Sequence, residues 1–316
     1  MKLNTYQKTA LTTVFATLVL ILIGGLVRAA GAGLGCPDWP KCFGMWIPPT
    51  SAEGLPSQFD ASLFNPIHTW LEYVNRLVGV LIGLLIMATF ALSLRYRKTD
   101  PSVTVASALA FFLVLVQGWL GGQVVKSGLQ SGMITIHMVL AMIILNTLLY
   151  AAFKATREKL AVKLSNENKR MLLGLGGFIL FFTMLQLVLG TQVREEIDAV
   201  KNAAIVPPRD MWIEFTSWLY DVHRSFSWLI VILTAVLVYL LRSRNIQGVV
   251  RKTGVAIALL VLFQMLIGFG MERLGMPGTL QVLHLVSVAV LVCAEFLILL
   301  MAWFSDAEML AEKKLK

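Results

Sequence analysis

An all-α membrane protein with eight transmembrane helices, arranged as two tandem parallel four-helix repeats, is the fold this sequence predicts. Three observations lead there. Of its 316 residues, 57% are hydrophobic and only 14% charged, with a mean hydropathy of +0.76, a composition foreign to soluble globular domains. Eight apolar runs approach or exceed the roughly 20 residues a helix needs to cross a bilayer. The second set of four runs also repeats residues of the first set in the same order.

The first run, 9–30, follows only Lys2 and Lys8 and lacks a small-residue cleavage site ahead of a soluble body, so it reads as an uncleaved signal anchor. A long polar segment, 31–66, follows with Trp39, Pro40, Trp46, Pro48 and Pro49, and with Cys36 and Cys42 six residues apart. On the oxidising side of a membrane such a pair can close a small disulfide ring, either as a staple or as a redox-active dithiol. Run 67–94 begins next to His68 and carries Glu72, Asn75 and Arg76. Runs 103–125 and 131–153 carry Gln117 and His137. After run 170–192 comes a second long segment, 193–213, with Pro207, Pro208 and Trp212. Run 214–241 then carries His223 and Arg224, 251–271 carries Gln264, and 278–303 carries His284 and the packed thiol Cys293. Both long segments read as loops without helical period, of the kind that cover a site.

Basic residues set the predicted orientation. With the N-terminus inside, 18 of the 27 Lys and Arg residues fall on inner loops and tails, including Arg95, Arg97, Lys98, Lys313, Lys314 and Lys316, and cytoplasmic segments concentrate such residues. Both termini are expected in the cytoplasm. The net charge of +9 then reports topology and attraction to the anionic lipid bilayer rather than to nucleic acid.

The repeat is legible in four places. LVLVQGWLGGQVVKSGL at 113–129 matches LVLFQMLIGFGMERLGM at 260–276, IHMVLAMI around His137 matches LHLVSVAV around His284, EYVNRLVG at 72–79 matches YDVHRSFS at 220–227, and LIGGLVR at 22–28 matches VLGTQVR at 188–194. Residues 1–160 and 161–316 are thus the two halves. An even number of helices separates equivalent positions, so the copies share one membrane orientation.

Only four histidines occur, His68, His137, His223 and His284. His223 and His284 lie about nine and six residues into their runs, on the order of 10 Å below the outer surface at roughly 1.5 Å per residue. Imidazoles at equal depth on different helices can hold a heme iron from both faces, the bland alternative being helix-to-helix hydrogen bonds. Arg76 and Arg224, each one residue past Asn75 and His223, need an anion at that depth, which heme propionates would supply. In the first half Asn75 replaces the second ligand, and an amide has no basic nitrogen to offer iron. That site would hold iron through His137 alone or use His68, two turns up the same helix face. The singly held site suits a heme that enters and leaves, and the doubly held one suits a permanent cofactor. Glu72 is either an acid–base group in the first site or an i,i+4 partner of Arg76.

Taken together, the repeated halves, GGLVRAAGAGLGCPDWPKCFG after the first helix, EYVNRL on the second, and histidines on the fourth, sixth and eighth resemble the heme A synthase family of the cytochrome oxidase assembly pathway. The resemblance covers nearly the whole chain. It implies an oxidoreductase of the bacterial cytoplasmic membrane that oxidises a ring methyl of heme O to a formyl group through hydroxylated intermediates at the outer side. It also implies heme b on His223 and His284, heme O near His137 and Glu72, and a Cys36–Cys42 pair. Better-known members carry His where Asn75 stands, and many bacterial members have a second cysteine pair that 194–210 lacks. Heme O synthase and an electron-transfer protein of unidentified kind are the implied partners. Gly24-Gly25 and Gly121-Gly122 allow the close helix contacts of a homo-oligomer. A non-catalytic di-heme protein for electron transfer or heme delivery shares every histidine argument, whereas a solute transporter would lack heme and would more often have helices broken at mid-membrane.

Overall fold

The computed structural model of the chain describes residues 2–130, 132–160 and 162–307, apart from the side chains of Leu63 and Lys159. The basic tail with Lys313, Lys314 and Lys316, and residues 131 and 161, at the start of one predicted run and at the predicted boundary between halves, lie outside these. Among the described residues, eight helices are long and apolar enough to cross a membrane: α1 Thr5–Ala29, α2 Pro66–Ser93, α3 Pro101–Lys126, α4 Met133–Thr156, α5 Asn166–Lys201, α6 Trp218–Ser243, α7 Gly248–Arg273 and α8 Gly278–Trp303. The chain is a multi-pass membrane protein.

Local chemistry fixes the helix ends. Asn4 caps α1 in a reciprocal box with Gln7, satisfying donors that the first turn leaves open. Asn65 and Ser165 cap α2 and α5, and α2 and α3 each open on a proline, whose missing N–H costs nothing there. Two short strands, β1 Lys163–Leu164 and β2 Asp306–Ala307, pair in parallel and tie the link between α4 and α5 to the end of α8.

The helices group into two rings of four. In one, α1 touches α2, α2 touches α3, α3 touches α4 and α4 returns to α1; α5 to α8 close the second ring in the same way. The rings join where α1 packs on α8, α4 on α8 and α4 on α5. Gly25 admits the α1–α8 approach, since a Cβ there would lie 3.0 Å from Leu285 Cδ2. Leu172, Ile179, Leu237, Leu241, Ile257 and Ile298, among the largest fully buried side chains, pack into one cluster at the end of the second ring away from the histidines.

One predicted loop is largely helix. Expected to end near 192, α5 continues to Lys201, because REEIDAVK ends the apolar run without ending helix propensity. Arg194 and Asp198 pair at i,i+4 across 2.8 Å on this extension, while Glu195 accepts the Gly132 N–H at 3.1 Å. A 3-10 turn, 209–215, then precedes α6, which starts at Trp218 rather than 214.

Candidate functional site

In the second ring His223 and His284 face one another across the diagonal between α6 and α8, with ring centroids 6.5 Å apart and planes at 70°. With α6 starting at Trp218, they are the sixth and seventh residues of their helices, so their depths agree better than the sequence implied. An iron held by one nitrogen of each ring at about 2 Å would place imidazole centroids about 6.4 Å apart. The observed separation fits that group without movement of either helix. Among the described residues, Nδ1 of both rings is buried with no hydrogen-bond partner, which leaves one nitrogen of each imidazole unused by the protein.

The surrounding residues hold this pair. Gln264 on α7 donates to the His284 carbonyl at 3.0 Å and to Ser287 Oγ at 3.0 Å, and Gln186 on α5 donates to the His223 carbonyl at 2.7 Å. Each amide pins the backbone beneath an imidazole to the neighbouring helix. Gly190 on α5 is required by closeness, because a Cβ would stand 3.0 Å from His223 Cε1. On α7, Gly268 borders open space. Arg224 turns outward, its side chain 59% exposed, and meets Glu272 at 3.3 Å.

The first ring repeats part of this. Gln117 on α3 donates to the His137 carbonyl at 3.0 Å, a Cβ on Gly121 would stand 3.4 Å from His137 Cε1, and His137 Nδ1 is buried without a partner. Across the ring Asn75 on α2 faces Gly24 on α1, and its Oδ1 is likewise unpartnered. Gly122 receives the indole of Trp39, 2.8 Å from where its Cβ would be, so the loop after α1 lies across α3.

That loop is clasped by α2. Glu72, 4% exposed, accepts the Cys36 N–H at 2.8 Å through one oxygen and pairs with Arg76 through the other. The Arg76 guanidinium also donates to the carbonyls of Asp38, Lys41 and Cys36 at 2.7, 2.9 and 3.3 Å. Both candidate side chains are therefore engaged with the loop. Cys36 and Cys42 form a disulfide, buried beneath Phe43, Phe59, Phe64 and Tyr73. His68 lies apart from Asn75, half-buried in a cavity of about 280 Å³ between loop and α2 that Gly35, Asp60, Asn65 and Thr69 also line.

Sequence reading paired Gln117 with Gln264 without giving them a role and missed Gln186. The repeat offset is 147 between α3–α4 and α7–α8 but 166 between α1 and α5, which aligns Gln186 with Leu20. Each glutamine lies on a helix adjoining the histidine's own, and an amide inside an otherwise apolar run is the available signal.

Comparison with known proteins points the same way. A heme A synthase of Shewanella oneidensis is 31% identical over 207 residues, 65% of this chain and 61% of that protein. One from a Wolbachia species is 23% identical over 309 residues, 84% and 88% of the two chains, and one from Paracoccus denitrificans 25% over 312 residues, 86% and 81%. The family profile described as cytochrome oxidase assembly protein matches residues 7–296. With the eight helices and the facing imidazoles, that match means the chain belongs to the cytochrome oxidase assembly protein (COX15-CtaA) family.

Proposed function

We propose that this chain is a heme A synthase, an oxidoreductase that converts a ring methyl of heme O to a formyl group through hydroxylated intermediates. The observation that carries the reading is the His223–His284 pair, whose 6.5 Å centroid separation suits a bis-imidazole heme. His223 and His284 would hold heme b, which when bound would supply one-electron chemistry. Gln186 and Gln264 fix the backbone carbonyls of those histidines, so each ring would be held in place around a bound heme.

Heme O takes the first ring. His137 offers its imidazole, and Asn75, opposite, leaves a labile face. Arg76 and Glu72 keep the Cys36–Cys42 loop over the outer mouth, and the Trp39 indole on Gly122 excludes water from the region where the methyl group reacts. Glu72 is the acid–base group at that mouth and exchanges its proton when the Arg76 pairing opens. His68 lines the cavity through which the substrate's polar edge enters. The protein sits in the bacterial cytoplasmic membrane with both termini inside, receives heme O from its synthase, and passes electrons to a separate carrier.

The test is direct. Purified full-length protein should contain heme b and convert added heme O to hydroxylated and formyl products. Heme b without any product would leave a di-heme carrier in place of an enzyme.

A further inference from the structure

Arg28 and Arg194 are repeat-related, the last residues of LIGGLVR and VLGTQVR, yet they do not occupy separate sites. Both reach one carboxylate at the seam between the rings: Arg28 meets Asp198 Oδ2 and Arg194 meets Asp198 Oδ1, each at 2.8 Å. Arg194 also donates to Gln281 Oε1 on α8. Arg209 adds a third guanidinium beside them, donating at 2.7 Å to the Met276 carbonyl that Gln281 Nε2 also uses at 2.7 Å. The nearby acids are committed elsewhere, Glu195 to Gly132 and Thr135 and Glu196 to Ser217. Two guanidiniums thus share one carboxylate, and the Nε atoms of Arg28 and Arg194 are buried without a partner among the described residues. Unsatisfied buried donors of a cation are costly, and a second anion would relieve them.

Register says which ligand passes beneath. Gly190, against His223, is four residues before Arg194 on α5, and His284 is three residues after Gln281 on α8. The Arg194–Gln281 bridge therefore lies one helical turn outward of the imidazole pair, on two helices of the same ring. A heme gripped at that level and oriented with its polar edge outward carries two carboxylates at its rim. Arg224, the arginine adjacent to His223 in sequence, is turned to Glu272 at the surface.

Resting on the proposed heme site, we infer that Arg194, with Arg28 from the other half, is the carboxylate-binding shelf for the propionates of the heme held by His223 and His284, and that Asp198 competes with them for the same guanidiniums. Holding that heme then draws on both halves of the chain, so its site is incomplete without α1.

Loading full-length protein in detergent with protoheme IX or with its dimethyl ester, which lacks the carboxylates, tests this through the Soret band and needs no turnover. The wild type should prefer the free acid by about tenfold or more, as expected for charge-assisted pairs. Arg194→Gln should abolish the preference while keeping the bis-imidazole spectrum, and Asp198→Asn, which frees both guanidiniums, should raise it. Equal uptake of acid and ester by the wild type, or a preference that survives Arg194→Gln, overturns the inference. If Arg194→Gln does not fold, Asp198→Asn decides, and no rise overturns it. A wild type that gives a bis-imidazole Soret band with neither compound would instead refute the His223–His284 heme site itself.

Discussion

The two rings share a plan and differ in how tightly they close it. In the second, both diagonal positions are histidines and each has its backbone carbonyl held by a glutamine from an adjoining helix. In the first, one diagonal position is Asn75, and only His137 has such a glutamine. What the first ring has instead is a lid: a disulfide-bridged loop bound to α2 through Glu72 and Arg76. A ring pinned from all sides keeps its ligand, and a ring with one weak position under a clasped loop can exchange its ligand. On the proposed reading, one weaker diagonal position and one clasped loop are what separate a substrate site from a cofactor site.

The largest effect that bears on this contrast is removal of an imidazole from the second ring. His284→Ala should eliminate the low-spin bis-imidazole signature and nearly all retained heme b, whereas His137→Ala should leave that signature intact while abolishing turnover. Absorption spectra of the two purified variants check this, and loss of heme b from His137→Ala would mean the rings are not independent. The converse change, Asn75→His, should give the first ring a second imidazole and a second tightly held heme per chain, measurable by heme extraction.

Next in size is the clasp. Breaking a buried ion pair by removing one partner costs roughly 3–5 kcal/mol, and Arg76 additionally holds three loop carbonyls. Arg76→Gln should therefore loosen the loop, seen as faster proteolysis between residues 37 and 60, with heme b unaffected. Glu72→Gln keeps an acceptor for the Cys36 N–H but loses the charge. Turnover lost with heme content retained would assign Glu72 the proton, and unchanged turnover would leave it the clasp alone. A smaller effect belongs to Gly190→Ala, whose methyl would press His223 at 3.0 Å. Overpacking of this kind costs about 1–3 kcal/mol and should tilt the ring, altering the ligand-field spectrum before it lowers heme content.

Much of this contrast could be read before any coordinates. Spans longer than a bilayer is thick announce themselves by composition, and the offset of 147 joining Gln117 to Gln264 and His137 to His284 locates both sites at one depth. Three features were illegible for physical reasons. The α5 extension to Lys201 is polar but helix-forming, so an apolar-run criterion ends too soon. Arg76 sits one residue past Asn75, which says nothing about direction; its guanidinium goes to loop carbonyls because those are unpaired acceptors within reach. The meeting of Arg28 and Arg194 at Asp198 depends on how the rings pack, and no pattern within one helix encodes that.

Where α3 starts and α4 ends, the comparison has its smallest consequence. The first ring joins the start of α3 to the end of α4 through Asp100 and Lys154 at 3.1 Å, where the second has Gln247 and Met301 at the aligned positions and relies on the β1–β2 pairing instead. Partial burial pushes the Asp100 carboxyl up, but the Ser102 hydroxyl at 2.6 Å and the Lys154 ammonium outweigh it and hold the group below its ordinary value. A carboxyl lowered by folding stabilises above its unfolded pKa, and that contribution disappears as pH falls through the folded one. Asp100→Asn should therefore cost up to about 1 kcal/mol at neutral pH, the scale of a partly exposed pair, and nothing at a pH acidic enough to protonate the wild-type carboxyl. Thermal unfolding of both proteins at neutral and acidic pH measures the gap. A gap that stayed constant with pH would mean that the charge of Asp100 contributes nothing, and that the Lys154 pair is not what ties α3 to α4.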